Sequence, residues 1–289
     1  VFHLAAETGT RQSLDEVARY CDVNVMGTAH LIEALREAGL APRIVLASTR
    51  AVYGEGAWRR ADGATEVPPA RRGADMREGR FLPVMSDGSA GVAMPTPETT
   101  PPNPASIYAS SKLMQEYMLR QAAEAAGWKL AVLRFQNGSG PGQSLRNPYT
   151  GVLSVFVERL MAGGDLNIFE DGDILRDFVF VDDVVEALML TAEASVLDAA
   201  PINIGMGEGV SILAVARLLA RLCGRDPSCA RVSGDFRDGD IRHAVADITR
   251  ARALLGWAPR TGVEAGAAAL VAWARAEREA GGAAMGEVV

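Results

Sequence analysis

At 289 residues, with an apolar fraction of 48% and a net charge of −7, the chain is long enough to bury one large or two modest cores. The acid excess and the lack of any basic block argue against binding a nucleic-acid backbone or an anionic membrane, so a phosphate-bearing partner must be caught by a few placed arginines. Three scattered cysteines, Cys21, Cys223 and Cys229, make no disulfide framework and point to a reducing cytoplasm, and no apolar run approaches the roughly 20 residues that span a bilayer.

Val1-Phe2-His3-Leu4-Ala5-Ala6 is apolar and short, the pattern of a parallel strand buried on both faces. It begins abruptly, with neither a methionine nor a basic leader, so a preceding segment is expected. Glu7-Thr8-Gly9-Thr10 follows as a loop at a strand's carboxyl end, where open α/β sheets place ligands. A helix is expected over 15–38, with Val17, Tyr20, Cys21, Leu31, Ile32 and Leu35 as its apolar stripe and Gly39 as a left-handed stop. Asn24 and Gly27 sit inside it against propensity. Residues 43–47 read as the next buried strand, tipped by Ser48-Thr49, a hydroxyl pair placed either to touch a ligand or to make a Ser/Thr turn. From 55 to 102 glycine, proline, arginine and acids dominate without periodicity. So long a loop reads as an insertion, a lid or a partly disordered excursion whose charges solvate a surface, and no chemistry is assigned to it.

The sharpest chemical signal lies in 103–127. Tyr108 and Lys112 are four apart, so on a helix a phenol and an ammonium share one face with Cβ atoms about 5–6 Å apart. A tyrosine of pKa near 10 is no base at neutral pH, but a fixed ammonium beside it favours the phenolate. Lys112 and Lys129 are the chain's only lysines. The bland alternative is a surface tyrosine lying along a surface lysine.

Residues 129–135 form another apolar strand, and the alternation of strands and helices is the doubly wound pattern of an α/β fold. From Gln136 the chain should leave the sheet. A helix over 152–162, a strand over 167–169 and a turn through Asp171-Gly172-Asp173 follow. Arg176 to Asp183 joins a strand to a helix with an N-cap carboxylate. A strand at 202–205, a helix capped by Ser211, a short helix opened by Asp247 and stopped at Gly256, and an alanine-rich helix over 263–280 complete the chain. His3, His30 and His243 show no metal-ligand spacing, so no metal site is expected.

Ten short motifs stand in one order. They are His3-Leu4-Ala5-Ala6, Asn24-x-x-Gly27-Thr28, Ser48-Thr49 with Val52-Tyr53-Gly54, Tyr108-x-x-x-Lys112, Arg134-Phe135-x-Asn137, Gly140-Pro141-Gly142-Gln143, Arg176-Asp177-Phe178, Asn203-x-Gly205, Arg237-x-Gly239-Asp240 and Leu255-Gly256-Trp257-x-Pro259. Each is weak alone. Together they span essentially the whole chain and resemble the extended short-chain dehydrogenase/reductases that act on nucleotide-sugars. Within that family, residues 50–56, the long insertion and residues 143–151 look most like the deoxythymidine-diphosphate-rhamnose 4-epimerase type.

The resemblance implies a Rossmann-like doubly wound parallel sheet, its first strands missing from this chain, with a smaller C-terminal α/β substrate domain. The implied division is 1–137 plus 176–196 for the NAD-binding domain and 138–175 plus 197–289 for the nucleotide-sugar domain. It implies NAD as cofactor, bound by Ala5, Ala6, Asn24, Ser48, Tyr108 and Lys112, and catalysis by Thr49, Tyr108 and Lys112. A nucleotide-diphosphate sugar would be held by Asn137, Val152, Phe169, Arg176 and Arg237, with the arginines and Asn137 on the diphosphate and Phe169 on the base. The bland alternative for Arg176 is an ion pair with Asp171 or Asp173. A homodimer through the helices of 15–38 and 103–127 is also implied. Dehydratase relatives carry an Asp-Glu pair directly after the Ser/Thr tip; here Arg50 and Ala51 stand there, which favours C4 epimerisation through a transient 4-ketone. The family's glycine-rich pyrophosphate turn is absent, and Gly138-Ser139 replaces a bulkier pair. A fragment, a relic that binds nucleotide-sugar without catalysis, and a net oxidoreductase or dehydratase remain alternatives.

Overall fold

The computed structural model describes residues 1–145, 147, 151–195, 197–237 and 239–286, the last six as backbone. Four parallel strands, Phe2–His3, Arg43–Thr49, Lys129–Phe135 and Pro201–Ile204, lie side by side in chain order. Successive side chains of a strand point to opposite faces, and here both faces are covered. Ile44 and Leu46 pack with Leu130 and Val132 under Ile32, Leu35 and Leu119, from the helices Gly27–Glu37 and Ile107–Ala126. Val45 and Leu133 point the other way, onto Val179, Ala187 and Trp257. An apolar run rather than an alternating one is therefore what this sheet requires.

A second core gathers Leu153, Phe156, Leu160, Ile168, Leu219 and Leu270, from the helices Val152–Met161, Ile212–Leu222 and Val263–Gly286 and the paired strands Leu166–Ile168 and Ala230–Val232. This is the smaller α/β unit. Its division from the sheet differs from the expected one, because Pro201–Ile204 pairs with Lys129–Phe135 and so belongs to the main sheet.

Four local expectations are corrected. Phe2–His3 is an edge strand paired on one side only, so Val1, Phe2 and Leu4 are exposed rather than buried on both faces. The helix expected over 15–38 is a succession of turns: Val17–Tyr20, a π-helical segment Cys21–Met26 around Asn24, then Gly27–Glu37, stopped at Gly39 with φ 63°. Asp182 and Asp183 do not cap their own helix; Phe180 is the N-cap residue. The Asp183 carboxylate accepts instead from the backbone N–H of Arg260 and Thr261, at 3.1 and 3.0 Å.

The fourth is the insertion. Residues 55–102 fold into a three-stranded antiparallel sheet, with Trp58–Arg59 between Thr65–Glu66 and Val92–Ala93, and the short helix Gly73–Arg77. Trp58 is buried and stacks on His243 with ring centroids 5.1 Å apart. Some of its charges do not solvate a surface at all. Arg71, its side chain 2% exposed, donates to Glu55 at 3.1 Å and to both oxygens of Glu170 at 2.8 and 2.9 Å. Glu170 holds a positive φ of 56° between Arg71 and Arg242, a strained conformation the ion network over-determines. The insertion is thus fastened to the smaller unit.

Candidate active site

The carboxyl ends of Arg43–Thr49 and Lys129–Phe135 are level, with Thr49 paired to Phe135. Beyond them opens a cavity of about 190 Å³, lined by Thr49, Arg50, Gln136, Asn137, Val152 and Phe178 among others. Ligands of open α/β sheets bind at this edge, because the chain diverges there on leaving the strands.

Thr49 caps a 3-10 turn, Arg50–Tyr53, accepting from the N–H of Ala51 at 3.2 Å. Tyr108 lies in the first turn of the helix Ile107–Ala126, which starts where Ser106 accepts from Ala109 N–H at 3.1 Å and ends at left-handed Gly127. The structure brings Thr49 and Tyr108 together. Burial pushes the Tyr108 phenol above its ordinary value, and a hydrogen bond from Thr49 and the charge of Arg50 oppose this.

Lys112 has a partner that the four-residue spacing does not reveal. Its side chain is buried and donates to Gln115 Oε1, and Gln115 donates in turn to Thr28 Oγ1 at 2.7 Å and to the Asn24 carbonyl at 2.9 Å. Burial draws its ammonium down to about 8, with Glu116 acting the other way. Its charge bears on His3, which burial and Lys112 both push down. Arg50 is the cation whose charge opposes the rise of the Tyr108 phenol, while Lys112 donates to Gln115.

Two residues expected at the cofactor have their side chains committed to the protein. Asn24, fully buried, accepts from Glu7 N–H at 2.8 Å and donates to Glu7 O at 3.1 Å and Ser111 Oγ at 2.9 Å. It fixes the loop after the first strand, which carries Ala5 and Ala6, to the Tyr108 helix. Ser48 donates to Glu116, whose carboxylate takes a bidentate grip from Arg134 at 3.0 and 2.7 Å.

Of the residues expected at the sugar, Asn137 and Val152 line the cavity, and the Asn137 Oδ1 is buried without a hydrogen-bond partner among the described residues. Asn137–Ser139, where the bulkier pair is replaced, forms a strand parallel to Phe178–Phe180. Arg237, exposed, stacks its guanidinium 4.7 Å from the centroid of the Phe169 ring. Arg176 is buried, and its carboxylate partner is neither Asp171 nor Asp173: it donates to Asp240 at 3.0 Å and to the carbonyls of Leu175 and Ile241 at 2.9 Å, ordering 240–242. Gln136 and the Arg71–Glu55–Glu170–Arg242 network are features that sequence reasoning missed, and Arg50, read there only as the absence of a carboxylate, lines the cavity. Gln136 was an unspecified position between two motif residues, and its buried Oε1 also lacks a partner among the described residues.

The residues present fit the nicotinamide end of NAD. Lys112 keeps ammonium donors free beyond its one neutral partner among the described residues, as the hydroxyls of a ribose require, and the phenol of Tyr108 is beside it on the helix. No glycine-rich turn for the pyrophosphate occurs in the sequence. Among the described residues no cluster of His, Cys, Asp or Glu could hold a metal, and no helix is long and apolar enough to cross a membrane.

Fold and site together define a Rossmann-type protein with a tyrosine and a threonine facing each other at the sheet edge. Residues 1–205 match the NAD dependent epimerase/dehydratase family. The dTDP-L-rhamnose 4-epimerase of Burkholderia thailandensis is 41% identical over 275 residues, 94% of this chain and 74% of that protein. The UDP-glucose 4-epimerase of Thermotoga maritima, solved with UDP-glucose, superposes with a TM-score of 0.78 at 32% identity, over 96% of this chain and 77% of that one. The Thermus thermophilus UDP-glucose 4-epimerase, solved with NAD, gives 0.74 at 29% identity, over 95% and 77%. The chain belongs to the NAD-dependent epimerase/dehydratase family.

Proposed function

We propose that the protein inverts C4 of a nucleotide-diphosphate sugar through a transient 4-ketone, with NAD as cofactor. The observation that carries this reading is the Thr49–Tyr108 pair beside the cavity, with Arg50 and Ala51 following Thr49 where dehydration would need two carboxyl groups. Thr49 hydrogen-bonds the sugar's C4 hydroxyl and steadies its developing charge. Tyr108 takes the hydroxyl proton as general base and returns it after the ring has turned over. NAD held beside Tyr108 and Lys112 would supply hydride transfer from and to C4. Lys112, Ala5, Ala6, Asn24 and Ser48 shape or hold the cofactor side.

The sugar side consists of Asn137 and Val152 in the cavity, with Arg237 and Phe169 on the nucleotide and Arg176 ordering the segment between them. The apolar wall of Phe135, Val152 and Phe178 suits a sugar bearing a methyl at C6, and the Burkholderia relative's name supports a thymidine-diphosphate deoxysugar as the first compound to try. Exposed Val17, Val23 and Met26 beside Met114 and Tyr117 on the neighbouring helix support a homodimer through those helices. Three free cysteines support a cytoplasmic location, which recovery of the protein from a secreted fraction would contradict.

The test is to incubate the protein and NAD with a panel of nucleotide-sugars and read the C4 configuration by NMR. Tyr108→Phe is expected to abolish inversion while leaving nucleotide-sugar affinity nearly intact. Equal turnover in that variant removes Tyr108 from the reaction.

A further inference from the structure

Gln136 lies at the tip of the strand Lys129–Phe135, one residue beyond the Phe135 that pairs with Thr49. Its backbone is fixed at both polar groups: the N–H donates to the Ile204 carbonyl and the carbonyl accepts from Gly138 N–H, each at 2.9 Å. The residue lines the cavity together with Thr49, is only 7% exposed, and carries an Oε1 that no described residue pairs. Gly205 makes room for it, since a Cβ there would come within 2.5 Å of Gln136 Cγ and 2.6 Å of Asp177 Oδ2. The Asp177 carboxylate is engaged elsewhere, accepting from the N–H groups of Met206, Gly207 and Ala246 at 2.6, 3.0 and 3.2 Å. A buried amide oxygen left without a partner is costly, and a fold that makes room for one beside a cavity needs a donor there. The soft terminal torsion of a glutamine lets its carboxamide turn that oxygen to the donor.

We propose that Gln136 is a specificity-determining residue: its carboxamide oxygen accepts a hydrogen bond from a ring hydroxyl of the bound sugar other than the C4 hydroxyl that Thr49 holds. The occupant is a hexose carrying that hydroxyl at C2 or C3. The site discriminates against the analogue that lacks it, because a buried polar group built to pair with a hydroxyl is then left unpaired. The role rests on the proposed function for the class of substrate and adds the residue that selects within it.

The probes are thymidine-diphosphate 6-deoxymannose and uridine-diphosphate glucose, each with its 2-deoxy and 3-deoxy analogues. They are titrated calorimetrically into the protein with NAD present, wild type against Gln136→Met, an apolar side chain of similar length; Gln136→Leu supplies the same comparison where methionine is not accommodated. Wild type is expected to bind one of the two analogues about tenfold more weakly than the parent sugar. Gln136→Met should bind the parent about tenfold more weakly and make no distinction between it and that analogue, because the hydroxyl then has no partner to lose. The kcat/KM for C4 inversion should follow the same cycle. A merely structural role for Gln136 would weaken parent and analogues alike. That pattern, or a wild type indifferent to both analogues, overturns the proposal. Coupling to one hydroxyl in a protein that inverts no sugar sustains the role of Gln136 and overturns the epimerase reading instead, and a wild type that binds none of the probes overturns both.

Discussion

Replacing Arg71 with methionine strips the main cation from two buried carboxylates while keeping much of the side chain's apolar bulk. Glu170 would retain Arg242 Nη1 at 2.7 Å, but Glu55 would keep only the backbone N–H of Arg242 at 2.8 Å. Breaking a buried pair from one side costs about 3–5 kcal/mol, and the surviving Arg242 contacts place this case near the lower end, about 3 kcal/mol. The cost should depend on pH in a defined direction. Burial already pushes the Glu55 carboxyl above its ordinary value, with Arg71 the largest opposing influence. Without Arg71 it rises further and the folded state keeps Glu55 protonated. A group whose folded pKa is raised loses stability as pH rises, because the unfolded chain then releases the proton more readily. Urea denaturation should therefore show a larger deficit at pH 8 than at pH 5, and Glu55→Gln in the Arg71→Met background should recover part of it at pH 8. A loss below about 1 kcal/mol at pH 8, or a deficit that grows toward acid, would refute the view that buried charge fastens the insertion.

His243 titrates with the opposite sign. Burial, then Arg242, Arg176 and Arg71, push it down to about 4 against a pull from Asp171, and its Nδ1 accepts from Leu175 N–H at 3.2 Å, which requires that nitrogen unprotonated. Its contribution is complete above about 6.5 and is lost as pH falls toward 4, so wild type should lose stability over that window relative to His243→Gln; parallel curves would remove the effect. Arg237→Ala, or Phe169→Ala, should weaken nucleotide-sugar binding by roughly 1 kcal/mol, about fivefold by calorimetry, with kcat little changed. Unaltered affinity in both would take the stacked pair out of the site. Met114→Lys with Tyr117→Glu should shift sedimentation from dimer to monomer, and a monomeric wild type would count against the helix-paired assembly.

The periodic apolar runs alone determined that this chain builds a parallel sheet covered on both faces, because 43–49 and 129–135 carry no polar alternation and so need helices on either side. Local stops were equally plain: left-handed Gly39, Gly127 and Gly256 end helices where an L side chain would strain. Thr49 and Tyr108 were identifiable from residue type and strand-tip position, since their meeting needs only one strand end beside one helix start.

Which acceptor the Lys112 ammonium finds was decided by tertiary structure alone. Spacing puts Lys112 on the Tyr108 side of its helix, but that its ammonium also donates to Gln115, itself held by Asn24 and Thr28, depends on residues brought together only by the fold. The same holds for the insertion, whose lack of periodicity resembled disorder because its order comes from Arg71 and Trp58 reaching partners 99 and 185 residues away in sequence. A pattern of nearest neighbours encodes elements and their exposed faces. Pairings between distant charges become visible only once the fold has removed the water that would otherwise screen them.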